Sequence, residues 1–194
     1  QVEEAVSQCT VQRHERGSSL GACVQLLFDG ATSTLQLSDP AHFNTFSNEL
    51  GEDMRLAVRR LQALPEVSAA VLQGAGAHFS AGGNPWNRPS GGSFQAAFAA
   101  YMREVYLGFL QLRSLRAPVA CAAHGIAIGG GVAACMHADY LVTEHSCRFE
   151  HGNLVRGVGP LGMLSRTIVL GLGQQATLNV YLQNAQIDAS TARL

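Results

Sequence analysis

Three consecutive glycines, Gly129-Gly130-Gly131, stand between a short apolar run, Pro118 to Ala122, and an Ala-rich stretch ending at Met136. Glycine lacks a Cβ, so the backbone can turn sharply there and come close to another backbone. A strand that runs through glycines into a helix also leaves the first helical N–H groups without partners, and these favour negative charge. A second stretch, His78-Phe79-Ser80-Ala81-Gly82-Gly83-Asn84-Pro85, likewise follows a predicted strand. Alone, it reads equally well as a surface loop. Together the two turns suggest two N–H donors converging on one oxygen, which a thioester carbonyl needs as it becomes an enolate. Other glycine-rich chemistries do not fit. Neither glycine turn carries the GxGxxG of a dinucleotide site, the GK[ST] of a phosphate loop or the GxSxG of a nucleophilic serine.

The rest of the chain alternates short apolar runs with helical stripes. ACVQLLF at 22–28, Asp29-Gly30 and ATSTLQLS at 31–38 read as a hairpin. Ser47 or Asn48 caps a helix to about Leu64, with Leu50, Met54, Ala57 and Leu61 on one stripe and Pro65 ending it. Ser68 to Leu72 suits a buried parallel strand, and the order strand, helix, strand implies a right-handed crossover. A loop over 76–93 precedes a helix from Phe94 to Leu115. A strand at 118–122, a helix at 129–136 and a strand from Tyr140 to Thr143 follow. Residues 157–172 mix a Gly/Pro turn with a helix, 174–182 form another helical stripe, and Asp188 caps a last turn. This is one α/β domain without linker or repeat.

Composition narrows the partners. Hydrophobic residues make up 47% and charged residues 14%, enough apolar material for a sizeable core and too little charge for a disordered chain. With a net charge of -1 and no basic run, nucleic acid is not an expected partner. Arg59-Arg60 and the group Arg103, Arg113 and Arg116 read as solvated helix faces, with CoA phosphates or an acidic carrier protein as the alternative. The five cysteines, Cys9, Cys23, Cys121, Cys135 and Cys147, form no CxxC pair. Three of them sit in apolar runs, which suggests core packing in a reducing compartment, hence a cytoplasmic location and no metal. No signal peptide or membrane span is expected. The chain begins with Gln, as an excised domain or one lacking its start would.

The segments FSAGGN, HGIAIGGGVAACMHADY and GNLVRGVGPLGMLSR resemble the crotonase superfamily, the enoyl-CoA hydratase/isomerase family, over roughly residues 10 to 194. Phe43-Asn44-Thr45-Phe46-Ser47 and the GNLVRGVGPLGMLSR run are similar to its polyketide-associated β-branching branch. The resemblance implies a crotonase-like spiral of repeated ββα units with a largely parallel sheet. The core would span 1–194, with the family's C-terminal helices, about 60 residues, largely absent. It implies a homotrimer or dimer of trimers at full length, and no cofactor. The substrate would ride on the phosphopantetheine of an acyl carrier protein or on CoA. The resemblance assigns the oxyanion donors to the N–H groups of Gly83 and Gly130, and lines the pantetheine and adenine pocket with Ala81 and Gly82. It also implies a mobile loop from Pro85 to Gly92. Asn84 and Trp86 follow the first donor, and Trp86 reads as an acyl or adenine wall or as plain packing.

The pattern departs where hydratases carry two glutamates. Those positions fall on Ala133 and Asn153, neither of which transfers a proton as a carboxylate does. A two-glutamate hydration is therefore not expected. Asn153 could orient a water or a substrate carboxylate. His151 suits proton transfer near neutrality or a structural role, and alternation turns only one of Glu150 and His151 inward. Arg156 would bind a substrate carboxylate or carrier phosphate, or cap a loop carbonyl. His124 and Asp139 read as structural, and His78 as packing beside Phe79. The leading expectation is decarboxylation of a 3-methylglutaconyl-type thioester. The alternatives are double-bond isomerisation using His151 and a non-catalytic domain of a polyketide synthase.

Overall fold

The structure is a computed structural model and describes residues 23–84 and 94–191. In chain order its strands are β1 (Cys23–Asp29), β2 (Thr32–Ser38), β3 (Ala69–Gly74), β4 (Val119–Ala123), β5 (Ile126–Ile128), β6 (Tyr140–Thr143), β7 (Arg148–Glu150) and β8 (Gln186–Asp188). The helices are α1 (Asn48–Gln62), α2 (Phe94–Leu110), α3 (Gly130–Cys135) and α4 (Leu164–Gln183). One sheet has the order β1-β2-β3-β4-β6; β1 pairs antiparallel with β2 and every later pair is parallel. A three-stranded sheet, β5-β7-β8, sits beside it. The expected α/β architecture with a largely parallel sheet is the one observed.

Local chemistry accounts for the elements. Gly30, at φ 59, turns the hairpin, and alternation along β1 and β2 buries Val24, Leu26, Leu35 and Leu37. Ser47 caps α1 by accepting from the Leu50 N–H at 3.2 Å, and Leu50, Met54, Ala57, Val58 and Leu61 form its buried stripe. Helices α1 and α2 pack backbone to backbone, since a Cβ on Gly51 would stand 2.7 Å from the Val105 Cα. Phe46 stacks on Phe109 of α2 at 4.2 Å and fixes that helix over the site described below.

Three strands, β5, β7 and β8, escape the sequence reading because each has only three residues, too few for alternation to register. The helix expected to reach Leu115 ends at Leu110 and tightens into a 3-10 turn over Gln111–Ser114. Gly173, at φ 76 and ψ 163, interrupts α4 where the two predicted stripes meet. Asp188 does hold the last turn, its Oδ1 accepting from Ser190 Oγ, Thr191 N and Thr191 Oγ1 at 2.7 to 2.8 Å, although it belongs to β8. Among the described residues no helix is long and apolar enough to cross a membrane, and no cluster of His, Cys, Asp and Glu suits a metal.

Candidate active site

Asn44 organises the first glycine turn. Wholly buried at φ 51, it directs its Nδ2 to the carbonyls of Ala75 (2.9 Å), His78 (2.8 Å) and Phe79 (3.1 Å), while its Oδ1 accepts from Asp39 N at 2.8 Å. This pins the loop after β3 to the turn after β2. Ser80 extends the brace: its Oγ donates to the Asn44 carbonyl at 2.8 Å and accepts from Gly82 N at 3.1 Å.

The segment from Ser80 to Gly83 is then laced on both flanks. Ser80 N donates to Ile126 O (3.2 Å) and Ile128 N to Ser80 O (3.0 Å), a parallel bridge onto Ala127 of β5. Phe46 N donates to Gly82 O (2.7 Å) and Asn84 N to Phe46 O (3.2 Å), a parallel bridge that brackets Gly83. In such a bridge the bracketed residue turns its own N–H and C=O to the opposite side. The Gly83 N–H therefore faces away from Phe46. Gly83 is exposed, and a Cβ there would meet no atom within 4 Å.

The second glycine turn abuts the first. Gly129, at φ 53, donates to Glu150 O at 2.9 Å and leads into α3. The first bond along that helix is Ala133 N to Gly129 O, so the Gly130 N–H precedes the internal ladder. A Cβ on Gly82 would stand 2.8 Å from Gly130 N and collide with Ile128 O, and one on Gly131 would collide with Ser80 O. Standard bond lengths then place the Gly83 and Gly130 nitrogens no more than about 7 Å apart.

Side chains wall this corner. Tyr106 of α2 is buried, and its Oη would be 2.5 Å from a Cβ on Gly130. Its ring meets Phe46 edge-on at 5.9 Å and lies against Gly162, whose φ is 58. A Cβ on Gly162 would also be 3.4 Å from that of Ala133, which offers only its methyl. From the other side, Asn153 donates through Nδ2 to Gly159 O at 3.0 Å. Its Oδ1 is buried without a partner among the described residues, 3.6 Å from where a Gly129 Cβ would lie.

The remaining predicted site residues are distributed unevenly. His151 is buried, and its imidazole packs edge-on against Tyr181 at 4.8 Å. Burial lowers its pKa, partly opposed by the Asn153 side chain, so the ring is neutral at pH 7. Glu150 is turned away: it accepts from Arg156 Nη1 (3.2 Å) and Asn184 Nδ2 (3.0 Å). Burial pushes its carboxyl up, but the bonds from Asn184, Arg156 and Gln186 together outweigh that and keep its pKa below the usual carboxylate value. Arg156 also donates to Gly152 O at 2.7 Å, so it caps its own loop. Ala81 and Asn84 take part through backbone bonds, to Phe43 O (2.9 Å) and Phe46 O (3.2 Å). Trp86, expected as an acyl or adenine wall or as plain packing, and the loop from Pro85 to Gly92, expected to be mobile, lie outside the described residues.

His124 and Asp139 play the expected structural parts, on Gly76 O (3.0 Å) and Val119 N (2.8 Å). The His78 ring lies on Phe43 at 5.5 Å, where the tight turn at Asn44 brings Phe43 alongside, while Phe79 is buried in the core. Two residues of the site went unnoticed in the sequence. Asn44 gives a faint signal as an Asn before a helix cap. Tyr106 gives none, because a tyrosine on an apolar helical stripe reads as core.

Comparison with known proteins identifies the family and the fold. The family model for enoyl-CoA hydratase/isomerase matches residues 28–193. A probable enoyl-CoA hydratase of Mycobacterium tuberculosis is 28% identical over 173 residues, covering 87% of this chain and 65% of the relative. A probable enoyl-CoA hydratase of Mycobacterium leprae is 25% identical over 169 residues, covering 86% and 64%. The chain thus spans just under two thirds of the length of these relatives. Among solved structures, an enoyl-CoA hydratase from Polaromonas sp. JS666 superposes with a TM-score of 0.79 at 24% identity, covering 87% of this chain and 66% of that one. A Thermobifida fusca YX chain in complex with acetoacetyl-CoA gives 0.76 at 23%, covering 87% and 69%.

Proposed function

The chain belongs to the enoyl-CoA hydratase/isomerase family, and from that premise we propose that it seats an acyl-thioester carbonyl between the N–H groups of Gly83 and Gly130 and carries it through an enolate. The observation behind this reading is the backbone contact of Gly82 with the Gly130 amide beside the bare methyl of Ala133. Donors fixed by backbone bridges need no reorganisation as charge develops, and each contributes on the order of 3 kcal/mol to the transition state. CoA or a carrier-borne phosphopantetheine is the thioester handle. The CoA arm draws on the acetoacetyl-CoA complex of the Thermobifida relative, and the carrier arm on the polyketide-like segments. A homotrimer or a dimer of trimers is the assembly proposed for the full-length protein.

The reaction that fits best is decarboxylation of a glutaconyl-type thioester. The carbon–carbon bond to the carboxylate breaks, its electron pair flows into the thioester as an extended enolate, and carbon dioxide leaves. A proton then returns to carbon. No water has to be deprotonated, which suits a site where Ala133 is apolar and Glu150 is held by Arg156 and Asn184. Asn153 Oδ1, buried and unpartnered among the described residues, is an acceptor for a substrate O–H or a bound water. A second reading, double-bond isomerisation, draws on His151, whose buried neutral ring keeps Nδ1 without a partner among the described residues.

The test is incubation with 3-methylglutaconyl thioesters of CoA and of a carrier protein, followed by intact mass. Loss of carbon dioxide is expected with at least one carrier. It should be abolished by Gly83→Pro, which deletes one donor N–H, and kept by Gly83→Ala. A shifted double bond in a matched enoyl substrate without such loss would favour isomerisation. Neither outcome with any thioester would favour a non-catalytic domain.

A further inference from the structure

We infer that Asn184, at the end of α4, is a positioning residue that sets His151 and Asn153 at the candidate site; the inference rests on the thioester reading above, in which those two side chains take part. Asn184 ends its helix at φ 48, in the left-handed region, where a glycine would serve equally well. Its side-chain amide does more than that turn requires. Oδ1 accepts from Gly152 N at 2.9 Å, and Nδ2 donates to Glu150 Oε1 at 3.0 Å. These bonds cross 32 and 34 residues of chain, so the amide orients a distant loop and not its own helix.

Gly152 is the single residue between His151 and Asn153. It stands at φ 68, and a Cβ there would be 2.6 Å from Arg156 Nη1 and 2.8 Å from Ile128 Cγ2. Its carbonyl accepts from Arg156 Nη1 at 2.7 Å, so with Asn184 on its N–H both of its backbone polar groups are held. Glu150, on the other side of His151, is held through its carbonyl by Gly129 N at 2.9 Å and through its carboxylate by Arg156 and Asn184. Asn184 thus grips the chain on both sides of His151. The same last turn of α4 brings Tyr181 edge-on to the His151 ring at 4.8 Å.

The gripped loop abuts the second glycine turn. His151 O and Asn153 Oδ1 lie 3.5 and 3.6 Å from where a Gly129 Cβ would stand, next to the proposed donor Gly130. His151 Nδ1 is buried without a partner among the described residues. That atom does not anchor the ring, so its direction relies on Tyr181 and on the clamped backbone. A loop released from Asn184 would carry both side chains with it, and a shift approaching 1 Å is enough to slow a positioned reaction markedly.

The experiment compares the wild-type protein with Asn184→Gly, which suits the left-handed turn and deletes both side-chain bonds. Histidine ring signals are read by NMR, with His151 assigned by its loss in His151→Gln. Values of kcat and KM are measured with 3-methylglutaconyl-CoA, its carrier-protein thioester and a matched enoyl thioester, and a thermal melt checks folding. In Asn184→Gly the His151 signals should shift or broaden while those of His42, paired with Asp39, stay in place. Turnover should fall by about 10- to 10²-fold with KM changed by no more than about 3-fold. If Asn184→Gly melts below the assay temperature, Asn184→Asp, which keeps an acceptor for Gly152 N and loses the donor to Glu150, is read in the same way. A folded variant with unmoved His151 signals, or with wild-type kcat where the wild type turns over, overturns the positioning role and leaves the thioester reading intact. A wild type inactive toward every thioester overturns the thioester reading, and the His151 signals then decide by themselves whether Asn184 sets that ring.

Discussion

Gly82 and Gly83 are neighbours with opposite tolerances, and the pair tests the site geometry without side-chain chemistry. Gly82→Ala forces a Cβ onto a residue at φ 79, which costs about 1–2 kcal/mol. That Cβ would also lie 2.8 Å from Gly130 N and closer still to Ile128 O. Ordinary contact begins near 3.4 Å, so the two turns must part by at least half an ångström, and overpacking of that kind costs about 1–3 kcal/mol. The sum, roughly 2–5 kcal/mol, should lower Tm by about 5–15 °C for a domain of this size. Separating the turns also spoils the proposed donor pair, and a misplacement approaching 1 Å lowers turnover by about 10²-fold. Gly83→Ala adds a Cβ that meets nothing within 4 Å, and Gly83 is absent from the positive-φ glycines. It should shift stability by no more than about 0.5 kcal/mol. Thermal melts and decarboxylation assays below both transitions measure the contrast. If the two variants behave alike, or Gly82→Ala melts early but turns over normally while folded, the proposed convergence on Gly130 is wrong.

Asn44→Ala removes the donor shared by three loop carbonyls at a fully buried position, and should cost about 2–4 kcal/mol by denaturant unfolding; Asn44→Asp, which restores only the acceptor, should not rescue it. His137 is buried with neither ring nitrogen hydrogen-bonded among the described residues, and burial lowers its pKa, with Arg113 adding and Gly162 opposing. Since the folded pKa lies below the unfolded value of about 6.5, its contribution is complete above that pH and is lost as pH falls through it toward the folded pKa. Tm should therefore drop between pH 7 and 5, with His151 contributing in the same direction, and His137→Met should flatten part of that drop. A wild-type Tm that rises on acidification over this range would contradict both assignments. Burial, followed by the neighbouring Cys121, raises the Cys135 thiol well above its ordinary pKa, and burial likewise raises Cys147 to about 11. Peptide-resolved alkylation of the native protein should mark Cys23, which is part-exposed, and spare Cys121, Cys135 and Cys147 until the protein is unfolded.

The parts of this architecture legible in the sequence are those with enough residues to repeat a pattern. The hairpin over β1 and β2, the Ser47 cap with its Leu50 to Leu61 stripe, and β3, β4 and β6 all follow from period and punctuation. The second sheet does not, because β5, β7 and β8 are three residues each and are held by pairing with one another. The glycine turns are legible as turns, but their mutual contact depends on Ser80 pairing with Ala127 and Phe46 with Gly83, bridges of single residues that leave no periodic trace. Arg156 illustrates a choice the sequence leaves open: a cation after a loop can face a ligand or its own chain, and only the position of Gly152 O and Glu150 decides. Tyr106 shows the opposite problem, since its place on a buried stripe hides the direction of its hydroxyl.

The lacing of Ser80 to Gly83 between Phe46 and β5 has a consequence for how such a site can diverge. The groups proposed to steady the oxyanion are peptide N–H groups, present whatever side chains surround them, and their spacing is set by main-chain bridges. A group that would handle protons, such as His151, is a side chain, replaceable by a single substitution. Thioester recognition and reaction outcome are thus encoded in physically separate layers. A lineage carrying this backbone can lose one proton-transfer apparatus and acquire another, passing through intermediates that still bind the same class of substrate.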